Sequence, residues 1–156
     1  MLAYRIVQKK YSGSLKPSGM EGRWNSKGKK VIYAGSTLEL AFLESLIRRQ
    51  GSGFNDNFRT MIIEIPDSVK ITVVRQSSLP KNWRDSKDLS KCQSIGDAWY
   101  DKGETPVLKV PSAVIPDSFN FVFNTEHTGF KKLRLLATTD LVPDPRIDEI
   151  LKKYRK

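Results

Sequence analysis

Four residues stand in settings where polar chemistry is out of place or well aimed: Arg23, Tyr33, Glu44 and Ser112. Glu44 interrupts the apolar run Leu40-Ala41-Phe42-Leu43-Glu44-Ser45-Leu46-Ile47, and at helical spacing its neighbours are Leu40, Ala41, Ile47 and Arg48. A fixed carboxylate in such a place can stabilise developing positive charge or orient a nucleophile. The same spacing equally suits an exposed i, i+4 pair with Arg48. Arg23, in Gly22-Arg23-Trp24-Asn25, has the forked donor set that grips phosphate and suits a pyrophosphate-bearing substrate; its plain alternative is a surface ion pair. Tyr33 reads as a strand aromatic, and Ser112, in Val110-Pro111-Ser112-Ala113, as a strand-edge or turn serine. Singly, none of the four decides a function.

Several sites are absent from the sequence. Gly51-Ser52-Gly53 continues into Phe54-Asn55-Asp56, so there is no dinucleotide fingerprint. There is likewise no P-loop, no HExxH and no GxSxG elbow. One cysteine, Cys92, and one histidine, His127, exclude an intrachain disulfide and a structural zinc site of four N/S ligands. No metal is therefore expected, and Cys92 reads as a small packing residue. No run reaches the roughly 20 apolar residues of a membrane span, and the first residues lack a signal-peptide core. A reducing cytosol is the expected compartment. The excess of 27 Lys+Arg over 17 Asp+Glu, a net +10, attracts nucleic acid, anionic small molecules or an acidic protein partner without choosing among them. Its densest cluster is the terminal Lys152-Lys153-Tyr154-Arg155-Lys156.

The elements that must carry these residues follow from patterning. The 156 residues suit a single domain, 1–156, without internal repeat or long linker. A strand is predicted over Ala3–Val7, then a glycine-dotted loop, then a strand over Lys30–Ala34. Ser36-Thr37-Leu38-Glu39 fits a capping box with Ser36 as N-cap, opening a helix that runs to Arg49 with Gly51 just beyond. Strands are expected over Phe58–Ile65 and Lys70–Arg75, then Val107–Val110, Ala113–Ile115, Phe119–Phe123 and Leu133–Ala137. Asp144-Pro145 opens a terminal helix. Many short strands with two or three helices predict an α+β fold.

Together the segments resemble the RES-domain family. The matching stretches are Gly22-Arg23-Trp24-Asn25, Val31-Ile32-Tyr33-Ala34, Leu40-Ala41-Phe42-Leu43-Glu44, Leu79-Pro80 with Trp83, and Ile95-Gly96-Asp97-Ala98-Trp99. They continue through Val110-Pro111-Ser112-Ala113, Asn120 to Asn124 with His127, and Asp144-Pro145-Arg146. Their order along nearly the whole chain carries the match. Glu21 departs from it where the family often has a second glycine, and Asn124-Thr125 and His127-Thr128 replace the usual asparagine–proline and histidine–proline pairs.

The resemblance implies a fold like that of ADP-ribosyltransferase toxins, with short, mostly antiparallel strands and a few helices. It implies the toxin of a type II toxin–antitoxin pair, consuming NAD⁺ by hydrolysis or phosphorolysis, with NAD⁺ as substrate and no resident cofactor. The implied partner is an Xre-like antitoxin, through which any contact with nucleic acid is indirect. Carried over by position, Glu44, Arg23 and Tyr33 are catalytic, and Ser112, Arg23, Tyr33 and Asn25 bind substrate. Glu44 would stabilise the oxocarbenium-like ribose, a transition state shared with glycoside hydrolysis. Arg23 would hold pyrophosphate or a ribose hydroxyl, Tyr33 would stack on nicotinamide, and Ser112 would bond the nicotinamide amide or ribose. The alternatives are ADP-ribose transfer to a host protein, a nucleic-acid-binding or RNA-cleaving toxin, a non-catalytic interaction domain, and a Ser112–His127 hydrolase.

Overall fold

The computed structural model describes residues 1–154; Arg155 and Lys156, the end of the basic cluster, lie outside the described residues. Seven strands, β1 (Leu2–Gln8), β2 (Val31–Gly35), β3 (Phe58–Glu64), β4 (Ile71–Val73), β5 (Val107–Pro111), β6 (Phe119–Asn124) and β7 (Arg134–Asp140), form one sheet. Its order is β4-β5-β6-β2-β1-β3-β7. Every pairing is antiparallel except β4 with β5, which is parallel. Helices α1 (Leu38–Arg48), α2 (Ser90–Lys102) and α3 (Pro145–Tyr154) complete the α+β fold. None of the described helices is long and apolar enough to cross a membrane.

The central strands are apolar on both sides because both faces of the sheet are covered. On β2, Ile32 and Ala34 join a core with Met61, Ile63, Val107, Phe121 and Phe123. Val31 and Tyr33 point the other way, toward Trp24, Trp83, Cys92, Trp99, Leu108 and Val122. This is the period-two alternation of a strand with a layer on each face. Cys92 is buried in that second core, as a packing residue should be.

Three local expectations need correction. Helix α1 is capped by Thr37, whose Oγ1 accepts from the Leu40 amide at 3.1 Å, rather than by Ser36. Ser36 still donates its amide to the Phe119 carbonyl, extending the β2–β6 ladder by one residue and delaying the helix. The stretch Ala113–Ile115 is a turn, not a strand. The Ser112 hydroxyl accepts from the Val114 and Ile115 amides at 3.0 and 3.1 Å, an alternative to the ladder. Helix α2 was absent from the patterning. Its interior Gly96 weakens a helical signal, yet a Cβ there would lie 1.7 Å from the Trp24 carbonyl oxygen. Only glycine lets α2 approach the Gly22–Ser26 loop so closely.

Candidate active site

Helix α2 holds the Gly22–Ser26 loop. Gln93 Nε2 donates to the Gly22 and Asn25 carbonyls at 3.0 and 3.3 Å, and Asp97 Oδ1 accepts from the Ser26 amide at 3.0 Å. Gly22 and Asn25 also form a backbone bridge. Asn25 is buried and saturated: its amide donates to the Met20 and Ser26 carbonyls, and its Oδ1 accepts from the Tyr33 hydroxyl at 2.6 Å. The same hydroxyl accepts from the Trp24 amide at 3.0 Å. Burial pushes the Tyr33 phenol well above its usual value, so this hydroxyl is a fixed donor.

A cavity of about 590 Å³ opens between this loop, β1, β2, α1 and the end of β5. That volume suits a small-molecule site, for which about 300–1,000 Å³ is usual. Arg23, Tyr33 and Glu44 are all on its wall, with Arg5, Arg48 and Asn120. Asn25 lies behind the wall, bracing Tyr33. Ser112 also lies behind it, between the wall residues Pro111 and Ala113, and is 2% exposed.

Glu44 is held by neutral donors. Its Oε1 accepts from Ser112 Oγ at 2.8 Å and from Asn120 Nδ2 at 2.6 Å. The first bond joins the end of β5 to α1 across 68 residues, and the second joins β6 to α1 across 76. Among the described residues no ion pair links Glu44 to Arg48, so the exposed-pair alternative is not the arrangement adopted. Ser112 gives its proton to Glu44 while His127 Nδ1 accepts from the Gly129 amide, capping a 3₁₀ turn. These partners leave no Ser112–His127 hydrolase pair.

Arg23 is engaged with protein. Its Nη1 donates to the Trp83 and Asp85 carbonyls at 2.6 and 3.1 Å, and its Nη2 to the Arg84 carbonyl at 3.3 Å. Its guanidinium carbon lies 6.0 Å from the Trp83 ring centroid. Arg5 and Arg48 are arranged differently. Both line the cavity, and neither side chain has a hydrogen bond or ion pair among the described residues. Burial and the neighbouring Arg48 charge push the half-buried Arg5 down to about 10, which leaves it protonated at neutral pH. Two adjacent guanidiniums, one of them desolvated, make this part of the wall electropositive.

Sequence reasoning assigned no role to Arg5, Arg48 or Asn120. Asn120 was visible only as part of a matched stretch, and Arg48 only as the possible partner of Glu44. Among the described residues no cluster of three or more His, Cys, Asp or Glu side chains is placed to hold a metal ion.

Comparison with known proteins places the chain in a family. The family model described as "RES domain" matches residues 2–144. The chain belongs to the RES-domain family. A RES relative named "Toxin Res", from Yersinia enterocolitica serotype O:8 / biotype 1B, is 34% identical over 152 residues, covering 94% of this chain and 99% of that protein. Another, "Prs ADP-ribosylating toxin" from Sphingobium sp., is 31% identical over 129 residues, covering 81% and 80%. Among solved structures, the MbcT-MbcA toxin-antitoxin complex of M. tuberculosis contains a chain of the same fold, with TM-score 0.72 and 21% identity. The match covers 97% of this RES chain and 88% of that one.

Proposed function

We propose that this chain is the toxin of a toxin–antitoxin pair and arrests growth by breaking the nicotinamide–ribose bond of NAD⁺. The observation that carries the reading is one cavity with two opposite charge sites: the braced Glu44 carboxylate, and the Arg5–Arg48 guanidiniums without protein partners. NAD⁺ matches this, with a diphosphate at its middle and a sugar that turns cationic as nicotinamide leaves. The bonding pair departs with nicotinamide, and Glu44 stabilises the oxocarbenium-like ribose. Water or phosphate then attacks the anomeric carbon. Arg5 and Arg48 take the diphosphate, the Tyr33 ring faces nicotinamide, and Ser112 and Asn120 orient Glu44. Arg23 forms another part of the wall. The partner is an Xre-like antitoxin, in keeping with the toxin names of the relatives and the complex in which the fold neighbour was solved.

The test is nicotinamide release from NAD⁺ by the purified chain, with and without inorganic phosphate. Release that depends on Glu44, being lost in Glu44→Gln, is expected, with free ADP-ribose or its 1-phosphate as co-product. No release under either condition overturns the reading. A second reading, transfer of ADP-ribose to a protein, is favoured by the name of the Sphingobium relative. It predicts a mass gain on a host protein incubated with the chain and NAD⁺.

A further inference from the structure

We propose that Arg84 is a positioning residue for the reaction, the outer link of a hydrogen-bonded strap leading from Arg23 to Glu44. The proposal rests on the reading of Glu44 as the catalytic carboxylate. Arg84 is exposed and not on the cavity wall. Its Nε and Nη2 nevertheless both donate to one acceptor, the Ala113 carbonyl, at 3.1 and 2.9 Å. Ala113 directly follows Ser112, whose hydroxyl donates to Glu44.

The segment that presents Arg84 is fixed from within. Arg23 donates to the carbonyls of Trp83, Arg84 and Asp85, three consecutive residues. Trp83 is buried, with its ring centroid 6.2 Å from that of Trp24. The Arg23 fork, with its donors in a rigid plane, suits capture of a tight turn of carbonyls. Arg23 thereby acts on the site through the 83–85 turn as well as forming part of the wall.

At the other end, the chain after Ser112 leaves the sheet for a turn. This turn contains Asp117 in the left-handed region, at φ 59°. Ser112 Oγ holds it from inside by accepting the Val114 and Ile115 amides, and Arg84 holds it from outside at Ala113. Rotation of the Ser112 side chain would break its bond to Glu44 and both bonds from the turn together. Clamping Ala113 therefore fixes the direction in which Ser112 presents its proton. Displacement of a catalytic group by about 1 Å can cost ~100-fold in rate.

The test compares Arg84→Ala, Arg84→Lys and Ser112→Ala in NAD⁺ kinetics and in amide hydrogen exchange. For Arg84→Ala, kcat is expected to fall about 10-fold, within the range for such displacements, with KM for NAD⁺ little changed. Arg84→Lys, which keeps one donor for Ala113, should recover most of the loss. The deficits of Arg84→Ala and Ser112→Ala should not multiply when combined, because both act through one bond to Glu44. The Val114 and Ile115 amides should exchange faster in Arg84→Ala, since the turn opens more often. A wild-type kcat, a KM-only change, or fully multiplicative deficits would overturn the proposal. Failure of the wild-type chain to release nicotinamide overturns the reading of the reaction instead. Unchanged exchange at Val114 and Ile115 overturns the strap whatever reaction the site performs.

Discussion

Asn120→Ala separates the orientation of Glu44 from its charge. The substitution removes one of two donors to Oε1, the 2.6 Å bond from Nδ2, and leaves the Ser112 bond at 2.8 Å in place. A hydrogen bond to a charged group contributes about 1.5–3 kcal/mol. If all of it were realised only at the transition state, kcat would fall by roughly 10- to 150-fold, at about 1.36 kcal/mol per decade. The bond is already made in the folded protein, however, so part of its energy is common to the ground and transition states and does not accelerate the reaction. The expected loss is therefore near the lower end, about 10-fold in kcat, with KM for NAD⁺ within about twofold. Glu44→Gln keeps the shape but removes the charge, and its loss should be larger, about 100- to 1,000-fold, as for removal of a principal electrostatic stabiliser. The assay is the initial rate of nicotinamide release against NAD⁺ concentration at a fixed acceptor concentration. Equal rates for Asn120→Ala and wild type, or a defect confined to KM, would refute the view that Asn120 aims the carboxylate.

Arg5→Ala and Arg48→Ala should act on binding instead, each raising KM for NAD⁺ about 10-fold for one lost charged contact of ~1.5–3 kcal/mol, measurable by the same kinetics. Tyr33→Phe strands the Trp24 amide and Asn25 Oδ1, so it should cost about 2 kcal/mol or more and lower Tm by at least ~4 °C in thermal unfolding. The pH dependence has a definite sign. Burial holds the Tyr33 phenol above the unfolded value of about 10, so the folded chain keeps a proton that the unfolded chain loses. The resulting stability is fully present below that value and is lost progressively as pH rises from it through the higher folded value. Urea unfolding should show a steeper alkaline decline for wild type than for Tyr33→Phe. Gly96→Ala forces α2 off the Trp24 carbonyl and should destabilise by about 1–3 kcal/mol, read by Tm.

Much of the scaffold was readable because its physics is local. The unbroken apolar run of Val31–Gly35 reflects burial on both faces, and the helix breakers around α1 flank it closely in sequence. Helix α2 escaped because its purpose is contact with a distant loop. Gly96 lowers its local propensity, and the reason for that glycine, the Trp24 carbonyl, lies 72 positions earlier. The same distinction divides the site. Glu44 stood out as a carboxylate in an apolar run. Ser112 was singled out too, but its acceptor lies 68 residues away, and no local pattern shows that it faces Glu44. Arg5 escaped notice because it reads as an ordinary polar residue between Ala3 and Ile6 of a strand. It becomes part of an electropositive stretch of cavity wall only when the end of α1 brings Arg48 beside it.

Glu44 and Arg48 are one helical turn apart and oppositely charged, in the order that favours pairing, yet no ion pair joins them among the described residues. This separation matters chemically. An arginine on Glu44 would cancel the field that an oxocarbenium-like sugar needs, whereas the hydroxyl of Ser112 and the amide of Asn120 fix the carboxylate without neutralising it. Arg48 meanwhile stands with Arg5, where two positive charges repel, and the proposed diphosphate would relieve that repulsion. A Glu44–Arg48 bridge would therefore weaken both ends of the cavity at once. The bonds from Ser112, just after β5, and from Asn120 on β6 that hold Glu44 are thus as much a part of the proposed chemistry as the carboxylate. They also explain why a serine behind the wall belongs with the glutamate on it.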